Sequence, residues 1–347
     1  MFYVFTGNAD LNDIELTGIK TNQWVLYNSY TKVWYGKEGN RSNDLVQQVE
    51  QLKPDILYIV GMFDWHFNLV PLFFCKAEKK ILSVRGMLHE GALSQKKLKK
   101  QIFLRVFKFL RKHKNIIYHA TDEIEMKHIE AEMGTDCLIH IAGNFPRIIT
   151  QRKGNSKKAG NLHLISIALI SPMKNHLLII KALKKIKSNI KYSIYGPVKD
   201  ADYWQQCVKE MDNLQENIMV TFYGDLQPQL VQEKLYEADV FIMPSKSENF
   251  GHSIIEALSA GLPVITSDHT PWNGLKEKKA GINVDTSEEA IFESIEFFVE
   301  MNKVDYEEWS NGASRYTNEV IDTGSLKLAY EKMFTVEKYA VSATSLI

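Results

Sequence analysis

Short apolar segments alternate with segments of helical periodicity along most of the chain. In the helical segments apolar positions recur every three or four residues. This alternation is typical of parallel sheets with crossover helices, so it predicts an α/β protein. The strands predicted in the first half are Phe2 to Phe5, Ile56 to Val60, Ile81 to Val84, Ile116 to His119 and Leu138 to Ile141, with Trp24 to Tyr27 and Val33 to Tyr35 as further candidates.

A polar, basic and Gly-containing segment at 151–160 has the composition of an interdomain linker. After it the alternation resumes, which predicts two similar α/β domains, 1–150 and 151–324. The strands predicted in the second half are Leu162 to Ala168, Tyr192 to Tyr195, Met219 to Tyr223, Val240 to Met243 and Pro263 to Thr266, with helices from about Lys174 and over Tyr203 to Leu214.

Composition restricts the class of protein. The 347 residues are 45% hydrophobic and 24% charged, which is typical of an ordinary globular protein with two cores. The net charge of zero argues against a general nucleic-acid binder. Cys75, Cys137 and Cys207 have no metal-ligand spacing and indicate reduced thiols. Neither a signal peptide nor a membrane-spanning segment is predicted, so we expect a cytoplasmic protein.

The strongest local pattern lies at 239–258 and predicts strand, loop and helix. Pro244 ends the strand, and Gly251 precedes a helix whose first-turn amides would bind a phosphate. Glu248 lies before that helix end and Glu256 about two turns inside it, so the carboxylates bracket the anion site. Because carboxylates accept paired hydrogen bonds from adjacent hydroxyls, this arrangement suits the sugar and the ribose of a nucleotide-sugar.

Each carboxylate also has a structural explanation. A Glu before a helix is a favourable charge at its positive end. Glu256 alone could be a surface residue. The combination of Glu-x-Phe-Gly with Glu-Ala-Leu is more specific than either Glu, and it favours the binding site.

The pattern resembles the signature of the family-four retaining glycosyltransferases of GT-B fold. That signature is two Glu residues with seven residues between them, matched by Glu248 and Glu256. The resemblance covers most of the chain and points to bacterial enzymes that build surface polysaccharides. Further matching segments are Phe250-Gly251, Ala257-Leu258, 261–272, Ile170 to Asn175, Tyr195-Gly196-Pro197, Arg85 to Leu88 and Gly91 to Ser94.

The resemblance implies two Rossmann-like domains facing each other across a cleft. The first would bind the acceptor and the second the nucleotide-sugar, and the C-terminal helix at about 325–347 would pack back on the first. It implies transfer to a glycan or lipid-linked saccharide with retention of configuration. No metal and no cofactor are expected, and a UDP-sugar is favoured over a GDP-sugar as donor.

The resemblance also implies roles for single residues. Glu248 would hold hydroxyls of the transferred sugar, Glu256 the ribose and Lys174 the diphosphate, with Lys174 and Glu248 as the catalytic pair. Lys174 also follows a strand and a Pro turn, where a cation and helix amides can converge on a diphosphate. The other expected donor-binding residues are Ser245, Asn249, Phe250, Gly251, His252 and Gly196.

One position departs from the family. An Arg is usual five residues before the Lys, and here that residue is Leu169. One cation that would stabilise the leaving diphosphate is therefore missing. Arg147, Lys199 or Arg85 could compensate, or catalysis is impaired.

The first half contains weaker candidates at a predicted strand-end loop. Arg85 could contact phosphates or the acceptor, and His89 could contact a sugar hydroxyl. Asn144 could face the cleft. A solvated His and a plain turn at Asn144 are the alternatives.

A basic, amphipathic helix is predicted at 95–114. It carries many Lys and Arg residues and no acidic residue, and its apolar positions recur at helical spacing. It could lie on the anionic inner face of the cell membrane, near a lipid-linked acceptor. Alternatively, it packs on the core and exposes a basic face to solvent.

Two other functions remain open at this point. One is a different activity on a GT-B fold, such as a nucleotide-sugar epimerase or a glycan phosphorylase. The other is a non-catalytic protein that binds a sugar nucleotide, which Leu169 makes conceivable. The products of an incubation with donor alone discriminate between them.

Overall fold

A computed structural model describes residues 1–10, 14–94, 97–109, 116–154 and 157–335. The chain divides into two compact units. The first unit comprises Met1–Asn144 together with the segment from Thr323, and the second comprises Phe145–Asp322. The second unit thus begins a few residues before the linker that composition indicates.

The first unit has two sheets among its described residues. β1, β3 and β2 form one sheet in that order, and β2 and β3 are an antiparallel hairpin. β4 to β7 form a parallel sheet in sequential order. The strands are β1 (Phe2–Gly7), β2 (Trp24–Asn28), β3 (Thr31–Gly36), β4 (Ile56–Val60), β5 (Lys79–Ser83), β6 (Ile117–Ala120) and β7 (Leu138–Ile141).

The second unit has a six-stranded parallel sheet with the order β10-β9-β8-β11-β12-β13. In chain order this is 3-2-1-4-5-6, the order of the Rossmann fold, and the order reverses between β8 and β11. The last strand, β13, is not among the sequence-based predictions. The strands are β8 (Asn161–Ile167), β9 (Asn189–Tyr195), β10 (Ile218–Phe222), β11 (Val240–Met243), β12 (Val264–Ser267) and β13 (Gly281–Val284).

Helices connect the strands in both units. Several begin at side-chain caps, in which Asp122, Asp200, Ser287 or Asn302 accepts a backbone amide of the first turn. The helices are α1 (Arg41–Leu52), α2 (Val70–Phe74), α3 (Glu90–Ser94), α4 (Lys97–Phe109), α5 (Glu123–Met133), α6 (His176–Leu183), α7 (Ala201–Met211), α8 (Val231–Glu237), α9 (His252–Ser259), α10 (Glu288–Val299), α11 (Lys303–Val320) and α12 (Thr323–Phe334).

The second unit buries apolar side chains on both faces of its sheet. Along β11, Val240 and Ile242 belong to one apolar cluster, whereas Phe241 and Met243 belong to another. Successive strand residues point to opposite faces, so the two clusters lie on the two faces of the sheet. This burial explains why the strand reads as a continuous apolar run.

The last described helix, α12, packs within the first unit. Met333 is fully buried in one cluster with Ile81 and Ala142. The ring of Tyr330 lies 5.6 Å from that of His119. The predicted helix at 325–347 therefore corresponds to α12 as far as Phe334, and 336–347 lie outside the described residues.

Candidate donor site of the second unit

The switch point of the second sheet brings two loops together. One follows β8 and contains Lys174, and the other follows β11 and contains Glu248. β8 and β11 are hydrogen-bonded neighbours in the sheet, so their carboxyl ends meet at one edge. In doubly wound sheets ligands bind at such a point, in the crevice outside the strand ends.

Lys174 contacts the carboxylate of Glu248 directly. Its Nζ donates to Oε1 of Glu248, and the two side chains are 18% and 11% exposed. Lys174 ends a short 3₁₀ turn, Pro172–Lys174, and does not itself begin α6. The next residue, Asn175, has a φ of 59°, and its side-chain amide donates to the carbonyl of Pro244 at 2.8 Å. This bond joins the two loops.

Glu248 is held from three directions. Besides Lys174, the hydroxyl of Ser245 donates to Oε1 of Glu248 at 2.9 Å. The backbone amide of Glu248 donates to the carbonyl of His269 at 3.2 Å. Ser245 is fully buried, and the Ser267 hydroxyl donates to its carbonyl. These contacts fix the position of the carboxylate.

The helix that follows, α9, begins without a side-chain cap. Its N-cap is Gly251, with a φ of 74°, which has no side chain that could accept a first-turn amide. A Cβ at this position would lie 3.0 Å from Ile254 Cδ1. The indole nitrogen of Trp272 donates to the carbonyl of Phe250, and the two rings meet edge to face at 5.1 Å. This end of α9 can bind an anion.

Glu256 lies little more than one turn inside α9, which corrects the expected two turns. The residue is half-buried. Burial raises the pKa of its carboxyl group, and the nearby charge of Arg147 opposes that rise. Arg147 itself donates to the carbonyl of Pro228 at 2.6 Å. Glu256 is therefore not an ordinary solvated surface residue.

The remaining donor-site predictions differ in exposure. Asn249 and His252 are exposed, and the His252 ring lies 4.6 Å from that of Phe250. Gly196 follows β9 with a φ of 133°, and a Cβ there would stand 2.0 Å from the carbonyl oxygen of Ala168. A close approach of two backbones thus explains this Gly, whether or not a ligand contacts it.

Residues 147–315 match the family described as glycosyl transferases group 1. This part of the chain is a group 1 glycosyltransferase domain.

Curated relatives match parts of the chain. An N-acetylgalactosamine-N,N'-diacetylbacillosaminyl-diphospho-undecaprenol 4-alpha-N-acetylgalactosaminyltransferase of Campylobacter jejuni is 26% identical over 146 residues, which are 41% of this chain and 38% of that protein. The O-antigen biosynthesis glycosyltransferase WclY of Escherichia coli is 30% identical over 155 residues, which are 45% of this chain and 37% of that protein. The matched region thus spans less than two fifths of either relative.

Solved structures resemble the whole fold. Sucrose-phosphate synthase from Thermosynechococcus elongatus aligns with a TM-score of 0.66 and 14% identity, over 96% of this chain and 88% of that one. At this identity the likeness concerns the fold alone. The fold is α/β, of the GT-B type with two Rossmann-like units.

One residue of the glycosyltransferase domain was not singled out by its sequence. His176, the first residue of α6, is fully buried, and neither ring nitrogen has a hydrogen-bond partner in the described part of the chain. Burial and, to a smaller extent, the charge of Lys174 lower the pKa of the imidazole to about 4. The ring is therefore neutral near pH 7. The only signal for this residue in the sequence is that His176 follows the candidate Lys174 by two positions.

The predicted departure at Leu169 lies at the edge of the same loop. Leu169 is half-buried just after β8. Arg147 is the candidate compensating cation whose charge acts on Glu256. Within the described ranges no group of His, Cys, Asp and Glu is arranged to hold a metal ion.

The candidates of the first unit lie at the carboxyl ends of β5 to β7. Arg85 Nη1 donates to the side-chain oxygen of Asn144 at 2.7 Å, so these two residues meet. His89 is engaged locally, since its Nδ1 accepts the amide of Gly91 at 3.0 Å and its ring lies 5.0 Å from that of His128.

The predicted basic helix at 95–114 is described only as α4, because 95–96 and 110–114 lie outside the described residues. Leu104 and Phe107 are buried in the core of the first unit. A second apolar row remains exposed, formed by Leu98, Ile102, Val106 and Phe109. Among the described helices none is long and apolar enough to cross a bilayer.

Proposed function

We propose that this chain is a retaining glycosyltransferase that moves a sugar from a nucleotide-sugar, with a UDP-sugar favoured, to a glycan or lipid-linked saccharide in surface-polysaccharide biosynthesis. The observation that carries the proposal is the contact of Lys174 with Glu248 beside the uncapped start of α9. The contact lies at the switch point of a Rossmann-type sheet, within a group 1 glycosyltransferase domain.

Charge neutralisation is the first task of this site. The bond from the sugar to the diphosphate breaks, and negative charge grows on the leaving diphosphate. The Lys174 ammonium and the first-turn amides of α9 would stabilise that charge. In the structure Lys174 pairs with Glu248. On binding, Lys174 would exchange this partner for the diphosphate and leave Glu248 free to accept hydrogen bonds.

The two carboxylates would then have separate roles. Glu248, held by Ser245, would accept hydrogen bonds from hydroxyl groups of the transferred sugar. Glu256, half-buried on α9, would accept hydrogen bonds from the ribose hydroxyls. Leu169 leaves the site with one cation fewer than the family usually has, and Arg147 is the residue that we propose compensates.

Retention of configuration and the identity of the acceptor are further parts of the proposal. The resemblance of the Glu248 and Glu256 segment to retaining enzymes supports retention, by attack on the face from which the diphosphate leaves. The Campylobacter jejuni relative is named for a diphospho-undecaprenol-linked substrate. We therefore propose a lipid-linked acceptor whose phosphates contact Arg85, with Asn144 and His89 nearby.

We also propose that α4 lies on the anionic inner face of the cell membrane. Its exposed apolar row would enter the headgroup region, and Lys99 and Arg105, which are exposed beside it, would attract anionic lipid. The opposite face, with Leu104 and Phe107, fixes the helix to the core. Each basic residue near the surface would contribute about 1 kcal/mol.

The donor assignment is tested by ligand binding and transfer. A thermal-shift screen of UDP- and GDP-sugars identifies the donor, because a ligand of the folded state raises its stability. Lys174→Met and Glu248→Gln should each abolish transfer to a lipid-linked saccharide in a folded protein. The control is Lys246→Met, which removes an exposed Lys from the loop that contains Glu248.

Three results would contradict the proposal. If Lys174→Met turned over as fast as the wild type, Lys174 and Glu248 would not be the catalytic pair. Isomerisation of the donor without an acceptor would indicate an epimerase. Donor binding without transfer or hydrolysis would indicate a non-catalytic protein. The anomeric configuration of the product, read by NMR, tests retention directly.

The membrane contact is tested by co-sedimentation with vesicles. Wild-type protein should bind vesicles that contain phosphatidylglycerol and not pure phosphatidylcholine. Replacing Ile102 and Phe109 with Ser should weaken binding. The control is Ile124→Ser, an equally exposed apolar residue on α5. Equal binding of all three proteins would exclude α4 as the contact.

A further inference from the structure

The first unit holds its candidate arginine on an unusual turn. Arg85 and Gly86 follow β5 with φ angles of 49° and 72°, so both lie in the left-handed region. The amide of Met87 donates to the carbonyl of Val84 at 3.0 Å and closes the turn. For Arg, which has a Cβ, this conformation costs about 1–2 kcal/mol. Other interactions must therefore hold the turn in place.

Glu125 provides these interactions. The residue is 6% exposed, and its carboxylate bonds to the segments that follow β5 and β6. Oε1 accepts the backbone amide of Gly86. Oε2 accepts the amide and the hydroxyl of Thr121 at 2.7 and 2.8 Å. The turn is thus fixed to the loop after β6 by one carboxylate.

Glu125 is itself immobilised. It lies in the first turn of α5, and its backbone amide donates to the cap residue Asp122 at 2.7 Å. Its backbone and both carboxylate oxygens are therefore engaged. The guanidinium of Arg85 remains exposed, with Nη1 bound to Asn144. The helix, the carboxylate and the turn form one support for this cation.

We infer that Glu125 is a positioning residue, which holds the Arg85–Gly86 turn so that the Arg85 guanidinium can bind a phosphate of the acceptor. The inference rests on the proposed function for its ligand, but the support of the turn is independent of it. A guanidinium binds phosphate through two parallel hydrogen bonds, so its orientation matters more than its charge alone. Glu125 would act on affinity for the acceptor and not on the chemical step.

The turn itself is tested without any activity measurement. In protein labelled with ¹⁵N-glycine, the Gly86 amide proton should exchange slowly in the wild type and in Arg85→Ala. It should exchange at least tenfold faster in Glu125→Gln, which keeps the size of the side chain but leaves one acceptor oxygen for three donors. The control is Glu123→Gln, an exposed carboxylate in the same helical turn. An unchanged Gly86 exchange rate in Glu125→Gln would overturn the inference.

Kinetics test the link to the acceptor. With a diphospho-lipid-linked saccharide, Glu125→Gln should raise the acceptor KM roughly tenfold, the effect of one charged hydrogen bond, with kcat nearly unchanged. Combined with Arg85→Ala it should add nothing further. Multiplying effects in the double variant would overturn the inference, because the two residues would then act separately.

The source of the phosphate is distinguished in the same experiment. If Arg85→Ala and Glu125→Gln raised the KM of the nucleotide-sugar and not that of the acceptor, the assignment to the acceptor would be wrong. A failure of the donor site would appear differently, as lost activity in the wild type with the Gly86 exchange pattern intact.

Discussion

The buried imidazole of His176 should make stability depend on pH. The ring is fully buried at the start of α6 and has no hydrogen-bond partner among the described residues. Its pKa is lowered from 6.5 to about 4. The unfolded chain therefore takes up a proton at a higher pH than the folded protein does, and stability falls as the pH drops from 6.5 to about 4.

The size of the effect follows from the same values. Each pH unit between the two pKa values corresponds to about 1.36 kcal/mol, so the full loss is about 3 kcal/mol, reached near pH 4. At pH 5 about 2 kcal/mol of it should already be lost. Above pH 6.5 the ring is neutral in both states and contributes no pH dependence.

The comparison that isolates this effect is His176→Leu, which keeps an apolar side chain of similar size and cannot titrate. Urea unfolding followed by tryptophan fluorescence, from pH 7 to pH 4.5, should show a steeper loss of stability in the wild type than in His176→Leu. His269→Gln, at an exposed His of the same unit, should behave as the wild type does. Parallel pH profiles of wild type and His176→Leu would refute the reasoning.

Two further substitutions and one control test the backbone and the core of the second unit. Gly196→Ala should lower the free energy of unfolding by roughly 2–4 kcal/mol, because its Cβ would meet the carbonyl of Ala168. Gly224→Ala, with a φ of 72° and open space around it, should cost only about 1–2 kcal/mol, and equal thermal shifts would contradict the steric argument. Lys157→Met should lower the free energy of unfolding by about 1–3 kcal/mol, because the buried ammonium donates to the carbonyl of Val299 at the end of α10. Unchanged urea unfolding would argue against this role.

Much of the candidate site follows from local sequence. The strand, loop and helix around Glu248 are read from an apolar run, a Pro and a Gly, and the structure has β11 and α9 at those positions. The Gly251 turn is predictable because few residues other than Gly adopt its φ. The depth of Glu256 in α9 was overestimated, since a helix start cannot be located to the residue from pattern alone.

The supporting contacts could not be predicted. Ser267 and Asn175 hold the site through bonds to Ser245 and Pro244, and each of these bonds joins separate loops. Nothing local distinguishes a buried Asn that bonds a remote carbonyl from a solvated one. Glu125 is similar, since its pattern is that of any acidic residue at a helix start.

The sequence by itself determined the α/β class, most strands and the residue types of the candidate donor site, because apolar periodicity, turn residues and helix ends are local properties of the chain. Only the tertiary structure decided that Lys174 and Glu248 meet, which requires β8 and β11 to be neighbours in the sheet. It also decided that α4 buries one apolar row and exposes another. Strand order and burial depend on contacts between residues far apart in the chain, and a single sequence does not contain those contacts in any local pattern.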